Sequence, residues 1–320
     1  MINKTTDSFR SSDGIHDIAY TVWTPDSAPR AMVQIVHGMN EYVDRYDEFA
    51  CFLADHGMVV FGDDHLGHGR TAKDDADLGY FAEKDGDRCL VEDVYSLNKL
   101  MRKKYRSLPC ILLGHSMGSF ISRAFVSVHP DAVDAFVVSG TAGKGQPFGL
   151  GITLCSLLAK LKGDRHRSKF VKKLAFSGYN KRFEGDLGIE WVTSDLEGQR
   201  KYGEDPKCMF DFTLGGYRDM FRLLSYVNSD EWYANMPSAL PTIFVSGADD
   251  PVGNYSKGVQ QVSERLSETS SDVTIKIYEG ERHELLTGLS RYKVFDDLLS
   301  WMNERIDGII AARTLGSSML

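Results

Sequence analysis

Several things are missing from this 320-residue chain, and each absence removes a class of protein. No excess of basic residues is present: 37 Lys and Arg stand against 45 Asp and Glu, a formal net charge of -8. A nucleic-acid binder would normally carry the opposite balance, so no nucleic-acid partner is expected. The opening MINKTTDSFRSSDG has no apolar stretch of the kind a secretory leader needs. No run approaches the roughly 18–20 apolar residues of a membrane span. The five cysteines (Cys51, Cys89, Cys110, Cys155, Cys208) are scattered, odd in number and free of any C-x-x-C pair. Neither a disulfide framework nor a zinc site follows from them; buried thiols in a reducing compartment do, and a cytoplasmic protein is the expectation.

What the chain does have is a rhythm of short apolar runs and amphipathic stretches. HDIAYTVWTP (16–25) alternates like a half-buried strand, and AMVQIVHG (31–38) reads as a buried strand ending at a glycine. A helix is predicted over 46–57, stopped by Gly57, then a strand over 58–64 and a helix over 89–105 with basic residues at its C-terminal end. PCILLGHS (109–116) runs as a strand into a turn, MGSFISRAFVSVHP (117–130) follows as a helix, and VDAFVVSG (133–140) is a strand again. Such alternation implies a mostly parallel central sheet with helices on both faces.

The rhythm then breaks. About a hundred residues separate Gly140 from the next strand, PTIFVSG (241–247), whereas a crossover needs only a dozen or so. Residues 145–235 are therefore read as an inserted helical cap on a core of 1–144 and 236–320. A helix over 254–269, a strand over 273–280 and a closing helix over 291–306 complete the core, with a frayed tail expected after Gly308. Within the insertion, the nearly all-apolar FGLGITLCSLLAKL (148–161) reads as a buried cap helix or as the lining of an acyl tunnel. The residues after it, Lys160, Lys162, Arg165, Arg167, Lys169, Lys172 and Lys173, make either a solvated face or a weak peripheral contact with anionic membrane.

The sharpest motif is Gly114-His115-Ser116-Met117-Gly118, between a strand and a helix. A strand that turns at once into a helix forces its apex residue into a strained backbone conformation and crowds the positions two before and two after, which is why glycines flank the serine. Ser116 is the expected nucleophile, and His115 is expected to pack beneath the turn. A serine hydroxyl needs an imidazole to take its proton, and that imidazole needs a carboxylate to fix its tautomer. His283 follows the strand VTIKIYEG by three residues and is the only histidine after His166. The acid should end the strand PTIFVSG, where Asp249 and Asp250 stand side by side. Position alone does not separate them; the adjoining Pro251 and Val252 favour Asp250, with Asp249 the alternative. The oxyanion hole needs two backbone N–H groups, one from Met117 and one from Met39 after His37-Gly38. Asp64, His65 and His68 in DDHLGHGRT are read as a brace for the loop beside the site rather than as metal ligands, since no convergent third ligand is evident. Glu41 and Arg282 flank the two catalytic loops and could pair across them.

With these residues in view the chain resembles the monoacylglycerol lipase and lysophospholipase-like branch of the α/β-hydrolases, also labelled serine aminopeptidase-type. The resemblance covers most of the chain and rests on HGMNEY (37–42), DDHLGHGRT (63–71), GHSMGS (114–119), SGADDPVG (246–253), EGERHELL (279–286) and the fragments FSGYNKRF and KYGEDP of the insertion. The family's G-x-x-D pattern falls on Gly247 to Asp250, and its oxyanion contributor falls on Met39. Where the family often has a small residue and a histidine, this chain has Met39-Asn40-Glu41-Tyr42. The resemblance implies the α/β-hydrolase fold and hydrolysis of acyl esters, of the monoacylglycerol or lysophospholipid type, with no metal and no organic cofactor. An amidase or peptidase would use the same triad. A non-catalytic binding protein on this fold would normally have lost a triad member, whereas here all three stand in order.

Overall fold

Five strands are apolar at nearly every position for one reason: both of their faces are covered. In the computed structural model, which describes residues 1–145 and 147–317, β3 (Ala31–Val36), β4 (Met58–Asp63), β5 (Cys110–His115), β6 (Ala135–Ser139) and β7 (Thr242–Gly247) are buried at every residue. With β1 (Asn3–Arg10), β2 (Asp17–Thr24) and β8 (Val273–Tyr278) they form one eight-stranded sheet of order β1-β2-β4-β3-β5-β6-β7-β8. The pairings β1–β2 and β2–β4 are antiparallel and the others parallel. This is the α/β-hydrolase fold.

Because side chains alternate across a sheet, consecutive residues of each strand feed two different cores. Val33, Ile35, Val60, Ile111, Leu113 and Val137 pack against α1 (Asp47–Asp55) and α10 (Arg291–Ser317) on one face. Met32, Val59, Phe61, Leu112, Phe136 and Phe244 pack against α2 (Gly86–Lys104), α3 (Met117–Val128) and α9 (Lys257–Ser267) on the other. Inside this second layer Asn98 Nδ2 donates to Gln34 Oε1 (2.9 Å), and Gln34 Nε2 donates to the Val94 carbonyl (2.9 Å).

Two features depart from the sequence reading. Strand β1 was not expected: NKTTDSFR is exposed at seven of its eight positions, so it carries no alternation. Its register comes from pairing with β2, Asn3 opposite Thr24 through Arg10 opposite Asp17, and its polar side chains keep the open sheet edge from recruiting another strand. Helix α10 continues past Gly308 to Ser317 instead of fraying; the place a Cβ would occupy on Gly308 is open space, so the glycine meets nothing that would stop the helix. Residues 318–320 lie outside the described residues. Among those described, no helix is long and apolar enough to cross a membrane.

Between β6 and β7 the chain forms α4 (Phe148–Lys162), α5 (Lys169–Ala175), α6 (Leu196–Glu204), α7 (Leu214–Val227) and α8 (Asp230–Asn235). Their roots are fastened to α3 by one buried arginine. Arg123 donates to Thr141 Oγ1 (3.2 Å) and the Ala142 carbonyl (3.1 Å) where the chain leaves the core, and to the Val227 carbonyl where it returns. Its guanidinium also lies 4.2 Å from the ring centre of Trp232. Helix α4 is not the buried helix that its composition suggests: Cys155 is its one buried residue, and Leu150, Leu157 and Leu161 are exposed.

Candidate active site

The turn between β5 and α3 has the strain that its sequence demands. Ser116 sits at φ 53° and ψ -123°, at the N-terminus of α3 with no side-chain cap. The close approaches explain both glycines. A Cβ on Gly114 would lie 2.6 Å from the Gly118 carbonyl oxygen and against the Ser122 hydroxyl; one on Gly118 would overlap the carbonyl oxygens of Val36 and His37. Ser116 N–H donates to the Ser139 carbonyl (3.0 Å), which pins the apex to the neighbouring strand. The hydroxyl is thereby held above the C-terminal edge of the sheet, where α3 presents the positive end of its dipole.

The loops after β7 and β8 bring the other two residues to the same edge. His283 Nε2 is 2.8 Å from Ser116 Oγ, and its Nδ1 is 2.9 Å from Asp250 Oδ2. A neutral ring with its proton on Nδ1 satisfies both contacts: Nδ1–H donates to Asp250, and Nε2 accepts from the serine hydroxyl. Asp250 is fully buried and its other oxygen accepts from Val252 N–H (2.9 Å), so its carboxylate is fixed in direction. Asp249 is half-buried and its backbone N–H donates to the Glu281 carbonyl (3.0 Å); of the two neighbours, only Asp250 reaches the imidazole. Burial opposes charging His283, but the Asp250 charge, the hydrogen bond that Asp250 accepts from the ring, and then Glu284 and Glu41 outweigh that, so its pKa lies above the usual 6.5. His115 packs 4.8 Å from His283, ring centre to ring centre, and burial holds it neutral, at a pKa of about 3. Gly140, at φ 58°, leaves room for both rings.

Facing the serine, the loop after β3 carries Met39. Gly38 lies so close that a Cβ there would come 2.8 Å from Ser116 Cβ, and Gly38 N–H donates to the Glu41 carboxylate. Asn40, at φ 58°, is held by a hydrogen bond from its Nδ2 to the Phe210 carbonyl (2.6 Å). Met39 and Met117 both line the cavity that Ser116 and His283 border. The DDHLGHGRT segment supports this loop from below. His65 N–H donates to His37 Nε2 (3.0 Å), the two rings stack 3.9 Å apart, and His65 Nδ1 meets Asp63 Oδ2 at 2.7 Å. Burial disfavours a charged His65, yet Asp63 beside it raises its pKa; burial and then the positive charge of His65 push His37 well down. Asp64 accepts from Val43 N–H (2.9 Å) and from Arg70 Nε (2.7 Å), which is a bracing role.

Over the site lies a cavity of about 230 Å³. Its lining includes the apolar Phe120, Phe148, Met220, Phe221, Leu224 and Val252 and the polar Asn40, Glu41, Tyr202 and Glu284. Of the residues singled out in the sequence, Ser116, Asp250 and His283 come together here, and Met39 lines the same cavity. The expected pairing of Glu41 with Arg282 does not form. Arg282 turns outward to the carbonyls of Glu190 (2.5 Å) and Thr193 (3.2 Å), and Glu41 pairs with Arg45 (3.3 Å). Sequence reasoning missed Arg45 and Glu284, which form a two-point ion pair (2.6 and 2.8 Å) at the cavity lining. It also missed residues 190–194, which stand on the histidine loop: Ser194 Oγ donates to Glu281 (3.0 Å), Glu284 N–H donates to the Val192 carbonyl (2.7 Å), and the Trp191 ring lies 5.2 Å from His283. No pattern flags contacts made across some ninety residues or more of chain.

Known proteins agree with this architecture. The family described as serine aminopeptidase, S33, matches residues 27–289. A monoacylglycerol lipase of Mycolicibacterium smegmatis is 29% identical over 92% of this chain and 95% of its own length. The monoglyceride lipase of Mus musculus is 29% identical over 89% of this chain and 86% of its own. A thermostable carboxyl esterase from Bacillus coagulans, solved in complex with glycerol, superposes with a TM-score of 0.90 at 28% identity, covering 96% of this chain and 100% of that one. The chain therefore belongs to the serine aminopeptidase S33 family of α/β-hydrolases.

Proposed function

We propose that this protein is a carboxylic ester hydrolase that cleaves single-chain acyl esters, of the monoacylglycerol or lysophospholipid type, through an acyl-enzyme. The observation that carries the reading is the unbroken line Asp250–His283–Ser116, at 2.9 and 2.8 Å, at a cavity lined by both apolar and polar residues. Its closest support in kind comes from relatives named as monoacylglycerol lipases and a structural neighbour named as a carboxyl esterase.

In this mechanism His283 takes the Ser116 proton as Oγ attacks the ester carbonyl, and Asp250 stabilises the imidazolium that forms. The negative charge on the carbonyl oxygen is met by the N–H groups of Met39 and Met117; losing one such donor typically costs on the order of a hundredfold in rate. His283 then protonates the departing alcohol. Water, activated by the same ring, releases the acid and restores Ser116. The apolar residues of the cavity lining suit the acyl chain and the polar ones the alcohol. Every bond change is served by side chains and backbone, so no metal and no organic cofactor is needed.

Residues 145–235 act as a helical cap on the core of 1–144 and 236–320. Their outer surface suits weak contact with anionic lipid. Leu150, Leu157, Leu161, Phe170 and Leu174 are exposed beside the exposed Lys160, Lys162, Lys169 and Lys173. Arg165 and Arg167 are turned away from that face, onto the Ala76 carbonyl (2.9 Å) and the Leu78 carbonyl (2.9 Å).

A fluorophosphonate probe tests the reading: wild type should be labelled and Ser116→Ala should not. Labelling of neither protein would remove the catalytic reading, and equal labelling would point to another nucleophile. p-Nitrophenyl esters of graded chain length should be cleaved far faster than aminoacyl anilides. Preference for the anilides would convert the assignment to an amidase.

A further inference from the structure

Three charged residues take no part in the steps above, although they sit between the two loops those steps depend on: Glu41 and Glu284 in the cavity lining, and Arg45 bonded to both. Glu284 follows His283 directly. Its carboxylate receives two hydrogen bonds from Arg45 (2.6 and 2.8 Å) and one from Thr287 Oγ1 (2.7 Å). Arg45 also reaches Glu41 (3.3 Å), and Glu41 accepts from Tyr46 OH (2.9 Å) and from the N–H of Gly38, the residue before Met39. The Tyr202 ring, on α6, lies over the guanidinium at 4.8 Å, and the Glu284 N–H holds the Val192 carbonyl. Glu41 and Glu284 are buried. Burying two carboxylates around one guanidinium is costly, and a hydrophobic cluster of the same shape would serve stability as well or better. The arrangement fits a positional requirement instead.

We propose that Glu284 is a positioning residue for the hydrolysis: through Arg45 and Glu41 it fixes the spacing between the histidine loop and the Met39 oxyanion loop, and it places negative charge where the His283 imidazolium forms. This rests on the triad reading given above. No atom of Glu284 needs to touch substrate. The groups around His283 are Asp250 from the loop after β7, His115 and Ser116 from the elbow, Glu284 and Arg282 from its own loop, Glu41 and Arg45 from the segment after β3, and the uncharged Trp191. Of these, Asp250, Glu284 and Glu41 favour the charged ring despite burial. Arg45 keeps Glu284 ionised against its burial, whereas burial, with Glu284 nearby, pushes Glu41 up to about 7 despite Arg45.

The test uses the full chain and a soluble p-nitrophenyl ester. Glu284→Gln keeps the shape but not the charge. Its kcat should fall about tenfold or more, since small misplacements of reacting groups can cost up to about a hundredfold; KM should stay within about twofold, and the acidic limb of kcat/KM should move to lower pH. Arg45→Lys keeps a positive charge but cannot make the two-point pair, so kcat should fall with the acidic limb unmoved. The double variant should be no worse than the poorer single one. A folded Glu284→Gln with kcat within twofold of wild type and an unmoved limb overturns the proposal, as do losses that multiply in the double variant. Should Glu284→Gln not fold, Arg45→Lys decides alone: full activity overturns, reduced kcat at unchanged KM supports. Ser116→Ala is measured alongside. If it is inactive while Glu284→Gln behaves as wild type, only this proposal fails; if it stays active, the triad reading fails first.

Discussion

The core and the insertion solve the same problem, stabilising helices, by different means. Core helices α1, α2, α3 and α9 begin without a side-chain cap and rely on a wide apolar face pressed to the sheet. In the insertion, α5, α6, α7 and α8 are each capped, by Ser168, Asp195, Thr213 and Ser229. A helix of six to fourteen residues with little sheet to lean on is marginal, and a cap worth about 1 kcal/mol matters more there. The bare start of α3 has a second use. A cap on its first turn would occupy N–H groups that the active site needs free, so the place where the core leaves a helix unfinished is the place where chemistry is proposed. The difference teaches that the insertion's shorter helices draw on local capping as well as packing, while these core helices draw on packing alone. Helix α4, which has no side-chain cap, and α7, which joins the main core, mark the limits of the contrast.

The largest expected effect probes the core's fixed geometry. Asp250→Asn should lower kcat about ten-thousandfold by leaving His283 in the wrong tautomer, whereas Asp249→Asn should change it less than about threefold. Comparable losses in both would show that the loop after β7 is not held as described. Next comes backbone crowding. Gly118→Ala forces a Cβ into two carbonyl oxygens and should cost about 3 kcal/mol or more, read as a fall in Tm or loss of soluble protein. Gly149→Ala, in α4, meets open space and should be neutral or stabilising by up to about 1 kcal/mol. Equal damage from the two would erase the contrast between core and insertion.

Thr213→Ala tests the other side of that contrast. Its hydroxyl accepts from Gly216 N–H (3.0 Å) and donates to the Gly79 carbonyl (2.9 Å), so its loss should cost about 1–2 kcal/mol in urea denaturation while kcat changes little. The pH profile sharpens the electrostatic part. His283 must be neutral to act as base, so kcat/KM should fall as pH drops through its pKa, which lies above the ordinary 6.5. The sign for stability is the reverse: a raised pKa means the folded state favours the charged ring, a contribution complete below the ordinary imidazole value and lost as pH rises through the folded one. The smallest effect belongs to the insertion's outer face. Vesicle sedimentation should show weak binding to anionic over neutral vesicles at low salt, reduced at moderate salt, each lysine near the surface adding on the order of 1 kcal/mol. No preference at low salt removes that contact.

Much of this was legible because the fold writes itself in short-range terms. Strands buried on both faces must be apolar throughout, so the five central strands announce themselves, β2 is read from its alternation, and the elbow demands glycines two residues to each side of Ser116. Strand β1 escaped because an edge strand exposed on both faces has no reason to alternate. Helix α10 was cut short because a glycine reads as a stop, although Gly308 lies in open space where it costs only helix propensity. Helix α4 was read as buried from its apolar composition, but composition does not say whether a second layer covers it.

By itself the sequence determined the alternating strands and helices, the strained serine turn, and the order of nucleophile, acid and histidine, because each follows from sterics within a few residues. Only the tertiary structure decided that Arg45 pairs with Glu284 rather than Arg282 with Glu41, and that residues 190–194 stand on the histidine loop. Those are contacts between side chains far apart along the chain. Their choice is set by direction and burial at the edge of the sheet, which no local pattern encodes.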